Sequence, residues 1–280
     1  MTKKFKLAIC QNPVTADKEA NIARAVSAVD RAKEAGAQIA VLPEMFNCPY
    51  QNDQFGLYAE AEDGKTVRAL SDAARSNGIT LFGGSIPERE DGKLYNTCFI
   101  FDSAGHVIGK HRKVHLFDID VPGGIRFMES EVLSAGSQIT VVDTEFGKIG
   151  AAICYDMRFP ELFRLMAIKG ADLVIIPAAF NMTTGPAHWE TLLRARALDN
   201  QIFVAACAPA RDAHASYVSH ANSLAVDPYG QIMVRAGAEE TMLLAEIDPG
   251  YAAAVRERIP VMRQRRTDLY TLTENVNQSK

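Results

Sequence analysis

The sequence lacks long hydrophobic runs and an excess of basic residues. No apolar stretch approaches the roughly 18 residues that a membrane helix needs, so we expect no membrane partner. The start, "MTKKFKLAICQNPV", has only about five apolar residues before polar ones intervene, too few for a secretory signal. A net charge of −4 and a pI near 5.9 disfavour nucleic acid, which binds basic surfaces.

Cysteine is scarce, and its pattern excludes two kinds of site. The five cysteines are odd in number and widely separated, which is typical of reduced thiols in a cytoplasmic protein rather than of a disulfide framework. No CxxC pair occurs, so a structural zinc site built on cysteines is not expected. We therefore predict a cytoplasmic protein that holds no metal.

No linker rich in Pro, Gly or Ser divides the chain, and 280 residues with 48% hydrophobic content can form a large core. Strand-like runs such as "QIAVLPE" alternate with helical patterns such as the one over residues 21–34. We predict one α/β domain over residues 1–280, in which helices cover at least one face of each sheet.

Three polar residues follow predicted strands: Glu44 after "IAVLP", Lys113 in "GKHRKVHLF" and Cys154 after "IGAAI". Reactive groups in α/β proteins gather beyond the carboxyl ends of strands. Each residue alone also has a simpler explanation, namely a solvated or capping carboxylate, a solvated basic edge and a small buried hydrophobe. Cys154 stands out because Pro160 opens a helix just after it, and nearby backbone N–H groups favour a thiolate.

Together, these three residue types have complementary chemistry. A cysteine that attacks an amide or nitrile needs a base that accepts its proton and returns it to the leaving amine. It also needs a cation or N–H donors beside the developing oxyanion. Glutamate, lysine and cysteine fill these roles without histidine or metal.

The segments "LPEMF", "HRKVHLFD" and "CYDMRFPE", in this order, resemble the Glu–Lys–Cys signature of the nitrilase, or carbon–nitrogen hydrolase, superfamily. The similarity extends from "LAICQNPV" to "RRTDLY". The resemblance implies a four-layer αββα sandwich that forms a homodimer or larger homo-oligomer through helices beside the active site. It also implies that the tail, residues 260–280, lies at the subunit interface.

The resemblance assigns a role to each matching residue. Glu44 matches the general base, Lys113 the oxyanion lysine and Cys154 the nucleophile. Glu129, in "IRFMES", matches a second glutamate that positions the lysine, and the backbone N–H of Tyr155 matches the second oxyanion donor. The implied reaction forms a thioester, releases ammonia and needs no metal or organic cofactor.

Within the superfamily, "HLFDIDVPG", "AFNMTTGPAHWE", "APARDAHASYV" and "AGAEET" are most similar to the omega-amidase branch. This branch hydrolyses the terminal amide of small dicarboxylic acid monoamides such as alpha-ketoglutaramate and succinamate. A deaminated-glutathione amidase, which shares "CYDMRFPE" and "GPAHWE", is the alternative, followed by a nitrilase or an N-carbamoyl amine hydrolase. One departure is Gly124, where the branch is expected to have a longer side chain.

Such a substrate carries a carboxylate at its far end, which a cation or N–H donors should bind. Arg158 is a candidate, although an ion pair with Glu161 would explain it equally well. Loops after strands supply further candidates to line the pocket, because such loops commonly form binding sites. These are Tyr50, Phe117, Asn181, Met182 and Thr183.

Other classes stay open at this point. A papain-like hydrolase would pair Cys154 with one of the six histidines, and His106, His111 and His115 could suggest zinc. The PCxxC of zinc deaminases and the GxSxG of serine hydrolases do not occur. A non-catalytic scaffold on the same fold is the remaining alternative.

Overall fold

The computed structural model describes residues 3–120 and 126–275, which form fifteen β-strands and six α-helices. The strands are β1 (Phe5–Gln11), β2 (Ile39–Val41), β3 (Thr80–Phe82), β4 (Ile86–Glu90), β5 (Lys93–Phe101), β6 (Val107–Arg112), β7 (Asp118–Asp120), β8 (Arg126–Met128), β9 (Val141–Thr144), β10 (Gly147–Ala151), β11 (Leu173–Pro177), β12 (Phe203–Cys207), β13 (Leu224–Val226), β14 (Ile232–Arg235) and β15 (Thr241–Ile247).

The helices are α1 (Lys18–Glu34), α2 (Asn52–Tyr58), α3 (Lys65–Asn77), α4 (Pro160–Ile168), α5 (Gly185–Asn200) and α6 (Pro249–Arg258). Their ends follow local sequence signals. The Asp17 side chain accepts a hydrogen bond from Ala20 N and caps α1, while Gly78, with φ +56°, ends α3 in the left-handed conformation. Pro160 is the first residue of α4, as predicted. None of the helices in the described residues is long and apolar enough to cross a membrane.

Two mixed sheets form the framework. The first has the order β15-β1-β2-β3-β5-β4, with β6 added to β5, and the second has the order β14-β13-β12-β11-β10-β9. Strands β1, β2 and β3 are parallel to one another, as are β10, β11 and β12. A separate hairpin pairs β7 with β8.

The sheets pack face to face, and helices cover their outer faces. Val29 of α1 and Leu70 of α3 share one hydrophobic core with Leu81 of β3. Between the sheets, Ile9 of β1 belongs to a second core that continues to Trp189 of α5. The predicted αββα order is therefore confirmed, and alternation along each strand explains how both faces are buried.

The sheet directions bring the ends of distant strands together. Strand β5 runs antiparallel to both β3 and β6, so β6 points the same way as β2. Glu44 comes shortly after β2 and Lys113 directly after β6, so both lie at the same edge of the first sheet. Cys154 comes shortly after β10 of the facing sheet.

The tail follows α6 over the described residues 260–275. Its large apolar side chains include Leu269, which is 70% exposed, and Tyr270, which is 58% exposed. These values describe a single chain, so the expected position of the tail at a subunit interface stays a prediction.

Candidate active site

Lys113 lies between two carboxylates in the interior of the protein. Its Nζ is 3.0 Å from Glu44 Oε1 and 3.0 Å from Glu129 Oε2, and all three side chains are completely buried. The interpretation of Lys113 as part of a solvated basic edge is therefore wrong. Burial disfavours the ammonium ion, but the charges of Glu129 and Glu44 outweigh it and raise the pKa of Lys113 above its ordinary value.

The two oxygens of Glu44 have different surroundings. Oε1 accepts hydrogen bonds from Asn96 Nδ2 at 2.8 Å and Lys113 Nζ at 3.0 Å, and the hydroxyl of Tyr50 lies 3.2 Å away. Oε2 is buried and accepts none from a nitrogen or oxygen of the described residues. Burial raises the pKa of Glu44, although the charge of Lys113 and a hydrogen bond from the Cys154 thiol oppose the shift. Oε2 is thus the oxygen available for proton transfer.

Cys154 begins a short 3-10 helix, Cys154–Arg158, and has φ +44°, a left-handed conformation that non-glycine residues rarely adopt. Burial and the charge of Glu44 raise the pKa of its thiol well above the ordinary value, while Lys113 and the N–H of Ala179 lower it. The expectation that the turn favours a thiolate is therefore wrong. A raised pKa favours the protonated thiol, and the neighbouring carboxylate of Glu44 is the base that can accept its proton.

The residue after the thiol supplies a backbone donor. The N–H of Tyr155 precedes the first hydrogen bond of the 3-10 helix, which Asp156 N donates to Ile153 O at 3.0 Å. An N–H in this position has no intrahelical acceptor, so it is free to bind an oxyanion.

Glu129 connects the lysine to the loop that follows it. Its Oε1 lies 2.6 Å from the hydroxyl of Tyr50, and its Oε2 accepts a hydrogen bond from Phe117 N at 2.7 Å. Both residues were predicted to line the pocket. Tyr50 joins the buried network around Lys113 and lines a cavity that includes Glu44, whereas Phe117 joins the network and lines the pocket beside Cys154.

Asp156 is a buried residue that the sequence analysis missed. Its Oδ2 accepts a hydrogen bond from Ile153 N at 2.9 Å, and its Oδ1 accepts one from His115 N at 2.9 Å. The ring nitrogens of His111 and His115 lie 3.0 and 2.8 Å from the same carboxylate. Burial disfavours the carboxylate, yet the hydrogen bonds from both histidines lower the pKa of Asp156 below its ordinary value.

A narrow pocket adjoins the thiol. Its lining includes Phe117, Tyr155, Arg158, Asn181 and Thr184. Met182, which is 42% exposed, and Thr183 do not line it, so their placement there was wrong. The Nδ2 atom of Asn181 is buried and has no hydrogen-bond partner in the described residues, so it is free to contact a ligand.

Arg158 lies over two aromatic rings of this pocket. Its guanidinium carbon is 5.4 Å from the ring centre of Tyr155 and 5.1 Å from that of Phe180. Nη1 is 3.2 Å from His188 Nδ1, and the described residues give Nε no hydrogen-bond partner and give Arg158 no ion pair with Glu161 or any other acid. The alternative explanation by an ion pair is therefore wrong, and the cation is free to bind an anionic ligand.

A larger cavity of about 390 Å³ has Glu44, but not Cys154, in its lining. Its lining includes Tyr50, Gln51, Asp212 and Ala215. Ala179 and Tyr217 line both cavities and so lie between them, and the Tyr217 hydroxyl donates a hydrogen bond to Ala179 O.

The three histidines considered for zinc do not all come together at one point. His106 contacts Asp102, whereas His111 and His115 contact Asp156. In the described residues one group of three carboxylates could reach a common point, Glu62, Glu88 and Glu90. Lys110 Nζ lies 2.8–3.0 Å from each of them, so these carboxylates already share an ammonium ion as their partner. Gly124, the departure noted in the sequence, lies outside the described residues.

Several known proteins are similar to this chain in sequence and in fold. The family model for carbon–nitrogen hydrolase matches residues 6–257. Omega-amidase NIT2-A of Xenopus laevis is 54% identical over 274 residues, 98% of this chain and 99% of that protein. The crystal structure of Saccharomyces cerevisiae Nit3, a member of branch 10 of the nitrilase superfamily, is 44% identical, with a TM-score of 0.87 over 94% of this chain and 97% of that one.

A structure with lower sequence identity has a chemical adduct at its active-site cysteine. A mutant amidase from Nesterenkonia sp. AN1 is 27% identical, with a TM-score of 0.79 over 95% of this chain and 98% of that chain. It shows acrylamide added at its active-site cysteine. With the family model covering most of the sequence, this chain belongs to the carbon–nitrogen hydrolase family.

Proposed function

We propose that the protein is an omega-amidase, which hydrolyses the terminal amide of short dicarboxylic acid monoamides such as alpha-ketoglutaramate and succinamate. The observation that carries the proposal is the convergence of Glu44, Lys113 and Cys154, with the unpaired cation of Arg158 beside the thiol. The full-length similarity to omega-amidase NIT2-A supports the same substrate class.

Acylation begins with proton transfer. Glu44 accepts the thiol proton on Oε2, and Cys154 Sγ attacks the amide carbon. Lys113 and the N–H of Tyr155 stabilise the oxyanion that develops. Glu44 then returns the proton to the amide nitrogen, the C–N bond breaks and ammonia leaves, with the acyl group held as a thioester.

Deacylation uses the same groups in reverse order. Glu44 removes a proton from water, and the resulting hydroxide attacks the thioester carbon, again with Lys113 beside the oxyanion. When the C–S bond breaks, Glu44 gives the proton taken from water to Cys154 Sγ, which restores the thiol, and the dicarboxylic acid leaves and ionises to the dicarboxylate. Glu129 positions Lys113 throughout, because both of its carboxylate oxygens contact the ammonium while Phe117 N holds Oε2 in place.

Arg158 gives the reaction its substrate preference. A dicarboxylic acid monoamide carries a carboxylate at the far end from the reacting amide, and a guanidinium binds a carboxylate through two parallel hydrogen bonds. The cation lies in the same pocket as Cys154. This arrangement favours an anionic acyl group over a neutral one of equal length.

The protein acts as a cytoplasmic homodimer or larger homo-oligomer in this proposal. Free, buried thiols at all five cysteines support a reducing compartment. Ile168 of α4 is 41% exposed and Leu198 of α5 is 53% exposed, which supports an association through the helices that cover the second sheet. Light scattering after size-exclusion chromatography measures the number of subunits.

A steady-state screen tests the activity. We expect ammonia release from alpha-ketoglutaramate and succinamate, and none from Cys154→Ala with the same substrates. Preferred turnover of deaminated glutathione, a nitrile or an N-carbamoyl amine would replace the proposal by the corresponding alternative. Absence of turnover on every substrate would favour the non-catalytic scaffold.

A further inference from the structure

The nucleophile is separated from the space that a substrate needs. The pocket beside Cys154 measures only about 10 Å³, which is the space of about one water molecule. The thiol does not line the cavity of about 390 Å³ that contains Glu44. The acyl group of a dicarboxylic acid monoamide is too large for the small pocket. It must therefore occupy the larger cavity at least in part while its amide carbon reaches Cys154 Sγ.

Two residues line both cavities and form the boundary between them, Ala179 and Tyr217. Ala179 comes shortly after β11 and is buried, and its N–H contacts the Cys154 thiol. The residue before it, Ala178, donates a hydrogen bond to Cys207 O of β12 at 2.8 Å. A displacement of Ala179 would disturb the second sheet, whereas Tyr217 lies on the loop between β12 and β13. Tyr217 is therefore the part of the boundary that can move.

The loop that carries Tyr217 has a fixed base. Arg211 donates hydrogen bonds to Ser219 O at 3.2 Å and to His220 O at 2.7 Å, which joins the two ends of residues 212–218, the tip of the loop. Most of the tip is exposed to solvent. A short exposed segment between joined ends can move without disturbing the sheets on either side.

Few contacts hold the tip in place. In the part of the chain that the structure describes, two hydrogen bonds link it to the rest of the protein, from Gln51 Nε2 to Ser216 Oγ and from the Tyr217 hydroxyl to Ala179 O. The ring of Tyr217 also packs on that of Tyr50, with 4.6 Å between the ring centres. Both hydrogen bonds come from side chains, so rotation of those side chains is enough to release the tip.

We infer that Tyr217 is a movable barrier, whose ring swings out from between the two cavities when a substrate binds. The motion breaks the hydrogen bond to Ala179 O and joins the larger cavity to the pocket that contains Cys154 and Arg158. The acyl group can then lie in the larger cavity with its amide carbon at the thiol. The inference deepens the proposed function and rests on it for the identity of the acyl group.

Alkylation of Cys154 measures this barrier without any turnover. Iodoacetamide and the larger N-phenyl-2-iodoacetamide react with the same sulfur, and peptide mapping gives the rate of each reaction at Cys154. Because the thiolate attacks both reagents, a change in the thiol pKa alters both rates by the same factor. The larger reagent needs a wider displacement of the ring, so the ratio of the two rates reports access to the thiol.

Removal of the ring should favour the larger reagent. In Tyr217→Ala we expect its rate relative to that of iodoacetamide to rise at least roughly tenfold, and Tyr217→Leu should give an intermediate ratio. Tyr217→Phe is the size-matched control, because it loses the hydrogen bond to Ala179 O but keeps the ring, so its ratio should stay near that of the wild type. Val218→Ala is the control for the loop, because Val218 lines neither cavity.

The outcomes separate the two proposals. An unchanged ratio in Tyr217→Ala and Tyr217→Leu overturns the barrier, as does an equal rise in Tyr217→Phe or Val218→Ala. Succinamate turnover by the wild type tests the omega-amidase proposal separately. Turnover with unchanged ratios overturns the barrier and leaves that proposal standing, whereas the expected ratios without turnover support the barrier and contradict that proposal.

Discussion

Asp156 and His111 are 45 residues apart in sequence, and their side chains meet at 3.0 Å in the interior of the protein. The same carboxylate accepts a hydrogen bond from Ile153 N, directly before the nucleophile, and one from His115 N, two residues after Lys113. Asp156 therefore ties the turn of the second sheet that presents Cys154 to the loop of the first sheet that presents Lys113. It fixes the positions of the thiol and the ammonium relative to each other, and it is not part of the lining of either cavity.

The first prediction concerns this connection. Asp156→Asn keeps the volume but places an NH₂ group against donors, so the turn and the loop should separate slightly. Because small displacements of reacting groups cost up to about 10²-fold in rate, we expect kcat to fall by roughly 10–100-fold with KM little changed. Asp102→Asn is the control, since it disturbs an Asp–His pair on the surface. A kcat within a factor of about two of the wild type would show that Asp156 does not position the site.

The second prediction concerns the ionisation of Glu44. Asn96→Leu removes the 2.8 Å hydrogen bond to Oε1, which stabilises the carboxylate form. The pKa of Glu44, already raised by burial, should rise further. Because the base works only when ionised, activity is lost as pH falls through this pKa, so the acidic limb of kcat/KM should move to higher pH.

Asn47→Leu is the matched control for this shift. Asn47 is also completely buried, but its amide donates to Thr66 Oγ1 at 3.2 Å rather than to Glu44. A purely structural effect would lower activity in both variants without moving the pH profile. An unchanged acidic limb in Asn96→Leu would contradict the role given to Asn96.

The third prediction compares two neighbouring lysines. Lys113→Met removes the cation beside the oxyanion, and we expect kcat to fall by at least about 10²-fold, as for other single oxyanion donors. Lys110→Met removes a lysine that pairs with Glu62, Glu88 and Glu90 outside the site, and it should leave kcat nearly unchanged. Equal losses in the two variants would indicate that Lys113 has only a structural role.

The fourth prediction concerns the far end of the substrate. Arg158→Gln removes a charged hydrogen bond to the distal carboxylate, so kcat/KM for succinamate should fall by roughly 10–100-fold. Butyramide, which has an acyl chain of equal length but no carboxylate, should be affected much less. Equal effects on the two amides would place the carboxylate site elsewhere, and Asn181 Nδ2 is the next candidate.

The sequence predicted where strands end better than it predicted the burial and the pKa of the side chains that follow them. The positions of Glu44 and Cys154 after strands followed from apolar runs that end in polar residues, whereas Lys113 follows the more polar strand β6 and was selected for its chemistry beside a glutamate and a cysteine. The burial of Lys113 could not be predicted, because it depends on carboxylates 69 and 16 residues away. The pKa of the Cys154 thiol also depends on residues far away in sequence. Burial and the charge of Glu44 raise it more than the backbone N–H groups lower it, so the shift is opposite to the expected one.

The supporting residues left weaker signals in the sequence. Asn96 is a polar residue at the start of the apolar run "NTCFIFD", which indicates a buried hydrogen bond but not its partner. Asp156 lies two residues after the nucleophile, where a capping role is the simplest interpretation. Met182 and Thr183 were chosen from their loop, but the chain turns so that Thr184 faces the pocket instead.

The identity of the nucleophile is tested most directly by peptide mapping of the enzyme quenched in acid at several times during succinamate turnover. The account predicts an acyl group on Cys154, and neither an adduct nor turnover in folded Cys154→Ala. An adduct confined to Cys10, Cys48, Cys98 or Cys207, or turnover by Cys154→Ala at a rate near that of the wild type, would contradict it.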